Sequence, residues 1–203
     1  MDKINSFHEL FEIILNGNKN ESHQAARTVR KLLYNFKDKL WKIRSKEIKE
    51  IINKASTTYG KITEGFRQEN FVMAISIIYF LHEREMELDF LFPWFFQLLQ
   101  HENGYIRHAA VRMIDNEIGP LTVHIRCPGQ YGLSKISPEK ADQILFGLRT
   151  NLNNLLDASW KPIYKKYKYI DKLPSSTYKS VQLILSYLDD CYLEVEKTPF
   201  PNI

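Results

Sequence analysis

Six histidines, two cysteines and one run of carboxylates are the residues here whose types could do chemistry, and their spacing decides how much. His8, His23, His82, His101, His108 and His124 form no HExxH pair, and His101 and His108 are separated by a glycine-containing loop, so they read as loop and surface residues. His124-x-x-Cys127 has metal-ligand spacing but leaves the rest of a tetrahedral set unsupplied. Cys127 has only Arg126 beside it to favour a thiolate, which is weak support for a nucleophile. Glu83, Glu85, Glu87 and Asp89 fall in one short connector, where acids are solvated and favour the next helix's N-terminus more readily than they do acid–base work. No catalytic residue, metal or cofactor is expected.

Binding chemistry is better represented. On a helix expected over about 39–55, Lys39, Lys42, Lys46 and Lys49 fall within about 80° of one another at roughly 100° per residue, opposite an apolar face. In WKPIYKKYKYIDK, Lys161, Lys165, Lys168 and Lys172 form a second stripe, with Trp160, Ile163, Tyr164, Tyr167 and Ile170 on the other face. A lysine stripe is the electrostatic footprint of phosphate binding, and interleaved aromatics can stack on bases. The competing reading is an amphipathic helix with core aromatics and solvated lysines, and the three- and four-residue spacing favours it.

The chain that must position these groups has 203 residues, enough to bury a core without staples. Eight Gly and eight Pro are too few for the frequent turns of an all-β protein. Cys127 and Cys191 stand far apart, which indicates no disulfide framework and makes a reducing cytoplasm the expected compartment. The first residues do not resemble a signal peptide, and the apolar runs 71–81 and 90–99 are shorter than the roughly 18–20 residues that span a bilayer, so no membrane is expected. Net charge is +4, with Lys and Arg exceeding Asp and Glu by 14 to 9 over residues 1–70, trailing 5 to 7 over 71–135, and nearly balanced at 9 to 8 beyond.

Apolar residues recur at helical spacing nearly throughout. Helices are expected over about 4–15, from Glu21 or Ser22 to Phe36, over 39–55, 68–83, 88–100 and 105–118, with Gly119-Pro120 as a stop. Pro93 either opens the fifth or bends it. Residues 120–136 break the pattern: LTVHIR reads as a short strand-like stretch and CPGQYG as turn chemistry, a contact loop. Ser137, Pro138 and Glu139 then open a helix expected to run past Trp160 with a break at Pro162, and Pro174-Ser175-Ser176 opens the last, to about Glu194.

ILNGNKNESHQAAR (14–27) aligns without a gap on LLQHENGYIRHAAV (98–111), matching the apolar pair, the polar tract and the Ala-Ala pair at an offset of 84, twice 42. LLQHENGYIRHAAVRMIDNEIG resembles a HEAT repeat, whose apolar first helix, Asn/Gly loop and apolar-Arg-x-Ala-Ala second helix correspond here to Leu98 and Leu99, Asn103 and Gly104, then Ile106, Arg107, Ala109 and Ala110. Independently of that likeness, the paired alanines allow close helix approach and Arg107 can satisfy loop carbonyls or a neighbouring acid.

The resemblance implies an all-α fold, a right-handed α-α superhelix of about three hairpins over 1–119, followed by the 120–136 loop and C-terminal helices over 137–203 packed on the same array as one domain. It also implies a cytoplasmic, non-catalytic scaffold that binds a protein partner, with Arg27, Arg30, Arg107 and Arg112 near the binding surface. The alternative is nucleic-acid binding through the lysine stripes. Some HEAT-like proteins of this size resemble DNA glycosylases that remove alkylated purines in a basic groove with tryptophans and an aspartate. The isoelectric point near 8.9 and Trp41, Trp94 and Trp160 are similar to that pattern, but no aspartate lies within two positions of any tryptophan, so no catalytic residue is carried over.

Overall fold

The computed structural model describes residues 6–34, 41–82, 87–128 and 135–197. The described residues are all α, without a strand, and no helix among them is long and apolar enough to cross a membrane. The chain divides into two compact units, 1–83 and 84–203, so the hairpin around residues 92–121 belongs with the C-terminal helices.

The first unit contains α1 (Phe7–Asn16), α2 (Lys19–Tyr34), α3 (Trp41–Asn53), α4 (Ala55–Tyr59) and α5 (Gly65–Ile78), which ends in a 3-10 turn at Tyr79–Leu81. Ser6 accepts from the Glu9 amide at 3.1 Å, while Glu47 of α3 accepts from the Phe7 amide at 3.0 Å, so α1 begins on two oxygens where its dipole favours them. Helix α2 starts at Lys19, earlier than the apolar pattern indicates. There Asn18 Oδ1 accepts from the Asn20 and Glu21 amides, and Glu21 Oε2 accepts in return from the Asn18 amide at 2.9 Å, a reciprocal cap.

Phe7, Leu10, Phe11 and Ile14 of α1 meet Ala25, Ala26 and Val29 of α2 and Phe71, Val72 and Ile75 of α5, all buried, with Phe11 edge-on to Phe71 at 5.7 Å. A polar thread crosses this core. Asn70 Nδ2 donates to Ser22 Oγ, and Ser22 Oγ donates to the Ile14 carbonyl, each at 2.9 Å, so a buried amide and hydroxyl tie three helices together.

The second unit contains α6 (Phe92–Leu99), α7 (Gly104–Leu121), α8 (Val123–Arg126), α9 (Pro138–Ser159) and α10 (Thr177–Lys197), with 3-10 turns at Pro162–Lys166 and Ile170–Lys172. Pro93 lies in the first turn of α6, where its missing N–H costs nothing, and α6 is not bent there. Asn103 caps α7, its side chain accepting from the Tyr105 amide at 2.8 Å. Helix α10 packs on α6, α7, α8 and α9, and Ser137 caps α9 by accepting from the Lys140 amide.

Three expectations are corrected here. Gly119-Pro120 does not stop α7, which continues to Leu121: Pro120 removes one N–H in the last turn, and the acceptor it leaves, the Asn116 carbonyl, belongs to an exposed residue. LTVHIR is helical. Thr122 Oγ1 donates to the Ile118 carbonyl at 2.7 Å, and Arg126 donates to Thr122 Oγ1 at 3.0 Å and the Gly119 carbonyl at 2.9 Å, so local side-chain bonds override the strand preference of its branched residues. Helix α9 ends at Ser159 instead of passing Trp160, because Lys161, which precedes Pro162, is held extended (φ −134°, ψ 143°).

The two aligned hairpins both exist, α1–α2 and α6–α7, and both alanine pairs are buried in their seams. Their loops are closed in different ways. The Gly17 carbonyl accepts from Arg67 Nη2 of α5 at 3.0 Å, and the aligned carbonyl, that of His101, accepts at 2.7 Å from Arg107 Nη1 of the hairpin's own second helix.

Candidate functional site

The segment between α9 and α10 presents a concentration of exposed rings and ammonium groups. Because Lys161 is extended and a 3-10 helix repeats about every three residues, Ile163 lies over Lys166 and Pro162 over Lys165, so two of the turn's three sides pair an apolar residue with a lysine and Tyr164 takes the third. Trp160 is 43% exposed, Ile163 49%, Tyr167 36% and Tyr169 60%. Lys161, Lys165, Lys166, Lys168 and Lys172 are all exposed among them, against the single acid Asp171, which pairs with Lys172 at 3.2 Å. Lys165 Nζ stands 5.6 Å from the centre of the Trp160 ring, and Lys168 Nζ 5.3 Å from that of Tyr169.

This strap is pinned from beneath. Tyr164 is buried and stacked on Tyr178 of α10 with centroids 4.7 Å apart, and Leu173 is buried near the strap's end. Lys179 Nζ donates to the Asp171 and Leu173 carbonyls, each at 2.8 Å. Just beyond, Arg107 Nη2 donates to Ser175 Oγ at 2.6 Å while its Nη1 donates to the His101 and Glu102 carbonyls, both at 2.7 Å. Burial lowers the Arg107 pKa from its ordinary value.

These positions correct the expected sites. Arg107 is 6% exposed and holds a loop and the foot of the strap, so it is not on a binding surface. Arg112 is exposed on another face of α7, because five residues turn a helix by roughly 140° beyond a full turn. Arg27 and Arg30 are exposed on α2, in the other unit. Lys161, Lys165, Lys168 and Lys172 do not form a helical stripe, and of the aromatics expected in the core only Tyr164 is buried. Lys46 and Lys49 are exposed on α3, and Lys46 pairs with Glu50 at 4.0 Å. Lys39 and the Lys42 side chain lie outside the described residues, as does 129–134 of the expected contact loop. Lys166 and Tyr169 were missed by periodicity, although the density of YKKYKY is a signal that does not depend on it.

Several of the histidines first considered for chemistry have structural partners. His101 Nδ1 accepts from the Asn103 amide at 2.9 Å, and His124 Nε2 lies 2.9 Å from Asp142 Oδ1. Cys127 and Cys191 are half-buried and free. Among the described residues no group of three or more His, Cys, Asp or Glu side chains could hold a metal ion.

A second feature is a cleft of about 500 Å³ between the start of α6 and α9, walled by Phe92, Pro93, Phe96, Ile144 and Leu148. Phe146, one residue before the lining Gly147, is 76% exposed.

No protein-family model, curated protein or solved structure matches the chain.

Proposed function

We propose that this chain is a binding protein, not a catalyst, whose recognition element is the strap 160–172 and whose partner is nucleic acid. The observation that carries the reading is the exposure of Trp160, Ile163, Tyr167 and Tyr169 among five lysines and one aspartate. Burying those rings would remove apolar surface from water, and a phosphate backbone is the polymer that matches that charge. The HEAT-like reading of the hairpins is part of the same proposal: within the second unit, the α6–α7 pair with its buried alanine seam serves as the frame for the recognition segment.

Titrating salt against binding of a labelled oligonucleotide tests it. With up to five lysine–phosphate contacts, log K should fall with log salt at a slope reaching about −3.5 on single strands and about −4.5 on duplexes. No measurable binding at about 50 mM salt, to single strands or duplexes, would overturn the proposal.

A protein partner is the second reading, favoured by Phe146 standing 76% exposed on α9. The two separate cleanly. Nucleic-acid binding weakened in K165Q/K168Q and unchanged in Phe146→Ser supports the first, whereas no nucleic-acid binding by the intact chain leaves the exposed Phe146 face of α9 as the recognition surface.

A further inference from the structure

We infer that the strap selects single-stranded over double-stranded nucleic acid, with Trp160 and Tyr169 each stacking on a base while Lys165 and Lys168 take the adjoining phosphates. This rests on the nucleic-acid reading above and adds to it which form is bound and by which groups.

A duplex offers phosphates but hides its base faces, so it would satisfy the lysines and leave the rings in water. Unpaired bases cover rings of this kind with little regard to sequence. The ring–ammonium pairing has a repeating pattern: Lys165 over Trp160 and Lys168 over Tyr169 put one aromatic face and one cation together, twice, within ten residues. One nucleotide offers the complement, a π-face and an anion. An exposed cation–π contact is weaker than base–aromatic stacking, so an arriving base displaces the ammonium, and the flexible lysine stem carries it to the neighbouring phosphate.

The backbone is already in place. The Tyr164–Tyr178 stack, the two carbonyls held by Lys179 and the Arg107–Ser175 bond fix it at several points, so binding orders side chains and little else. An anionic membrane is the other surface that attracts lysines and aromatics, but interfacial segments segregate apolar and basic residues onto opposite faces. Here Ile163 lies over Lys166 within one 3-10 turn and the two classes are mixed.

The test uses the full chain with four probes: a 12-nucleotide single strand of DNA, its RNA counterpart, a duplex of equal length, and vesicles containing phosphatidylserine. At about 50 mM salt the single strands should bind roughly tenfold tighter than the duplex. W160A and Y169A should each weaken single-strand binding about five- to tenfold and leave duplex binding unchanged, with unaltered circular dichroism. K165Q/K168Q should weaken both and reduce the single-strand salt slope by about 1.4. Duplex affinity equal to or above that of the single strands, or equal losses on both forms in W160A, overturns the inference while nucleic-acid binding stands. Failure of every nucleic acid overturns both readings, and vesicle binding in that case assigns the strap to a membrane surface instead.

Discussion

Replacing Arg107 by alanine should destabilise the second unit by about 3 kcal/mol. The side chain is 6% exposed and donates three bonds of 2.6 to 2.7 Å, to the His101 and Glu102 carbonyls and to Ser175 Oγ. Hydrogen bonds from a charged donor contribute about 1.5–3 kcal/mol each, and the lower end applies because His101 and Glu102 are not fully buried and their carbonyls regain water. Three such bonds come to about 4.5 kcal/mol, and no longer desolvating the guanidinium returns about 1.5 kcal/mol. In urea, with a slope near 2 kcal/mol per molar, the midpoint reported by α7 and α10 amides should fall by about 1.5 M with the slope unchanged. Ser175→Ala should cost less, and the R107A/S175A cycle should return a coupling of about 1 kcal/mol. R107M keeps the volume without the donors. An R107M protein as stable as the parent, or R107A within about 0.5 kcal/mol of it, would refute the reasoning, because desolvation would then outweigh the bonds.

Two further predictions concern the other hairpin and acid stability. Gly17→Ala places a Cβ 2.7 Å from the Ile13 carbonyl oxygen, a backbone atom that does not yield, so thermal melting should show a loss of more than about 1 kcal/mol in the first unit. Glu139 is held below the ordinary carboxylate range by its own backbone amide and by the Ser137 hydroxyl at the start of α9. The stability this adds is complete above the unfolded carboxylate pKa and is lost as pH falls through the lowered folded value. Denaturation midpoints followed from about pH 7 to pH 3 should therefore decline more steeply in the parent than in Glu139→Gln, and parallel curves would remove Glu139 from the account.

The all-α fold was legible because apolar residues at helical spacing need only local information, and the Ser137-Pro138-Glu139 start was read correctly for the same reason. The hairpin at 98–119 was visible through its alanines, whose small size matters only when two helices touch. For Arg107 the loop carbonyls were legible as acceptors, but its burial away from a binding surface was not, because its third acceptor, Ser175, lies 68 residues away and a loop-closing arginine has the same neighbours in sequence as a surface one. WKPIYKKYKYIDK misled in the opposite sense. So many aromatics in so few residues satisfy helical spacing by density alone, whereas Pro162, acting on the conformation of Lys161, decides the outcome and turns Trp160, Ile163 and Tyr167 outward from an expected core. LTVHIR was misread because branched side chains favour strands on average, and the Arg126 bonds that hold it helical come from its own far end.

The two aligned hairpins also differ in what each can survive without. The α6–α7 loop is clasped by Arg107, supplied by α7 itself, whereas the α1–α2 loop borrows Arg67 from α5, where that arginine also pairs with Glu64. Cut from the chain, a peptide of residues 87–121 carries its own clasp, and one of residues 6–34 leaves its clasp behind. Transplanting the second hairpin into the first position would bring two guanidinium groups to one carbonyl. Sequence likeness at an offset of 84 therefore does not make these hairpins interchangeable parts, and any shortened or rearranged version of the protein should keep α5 with α1 and α2.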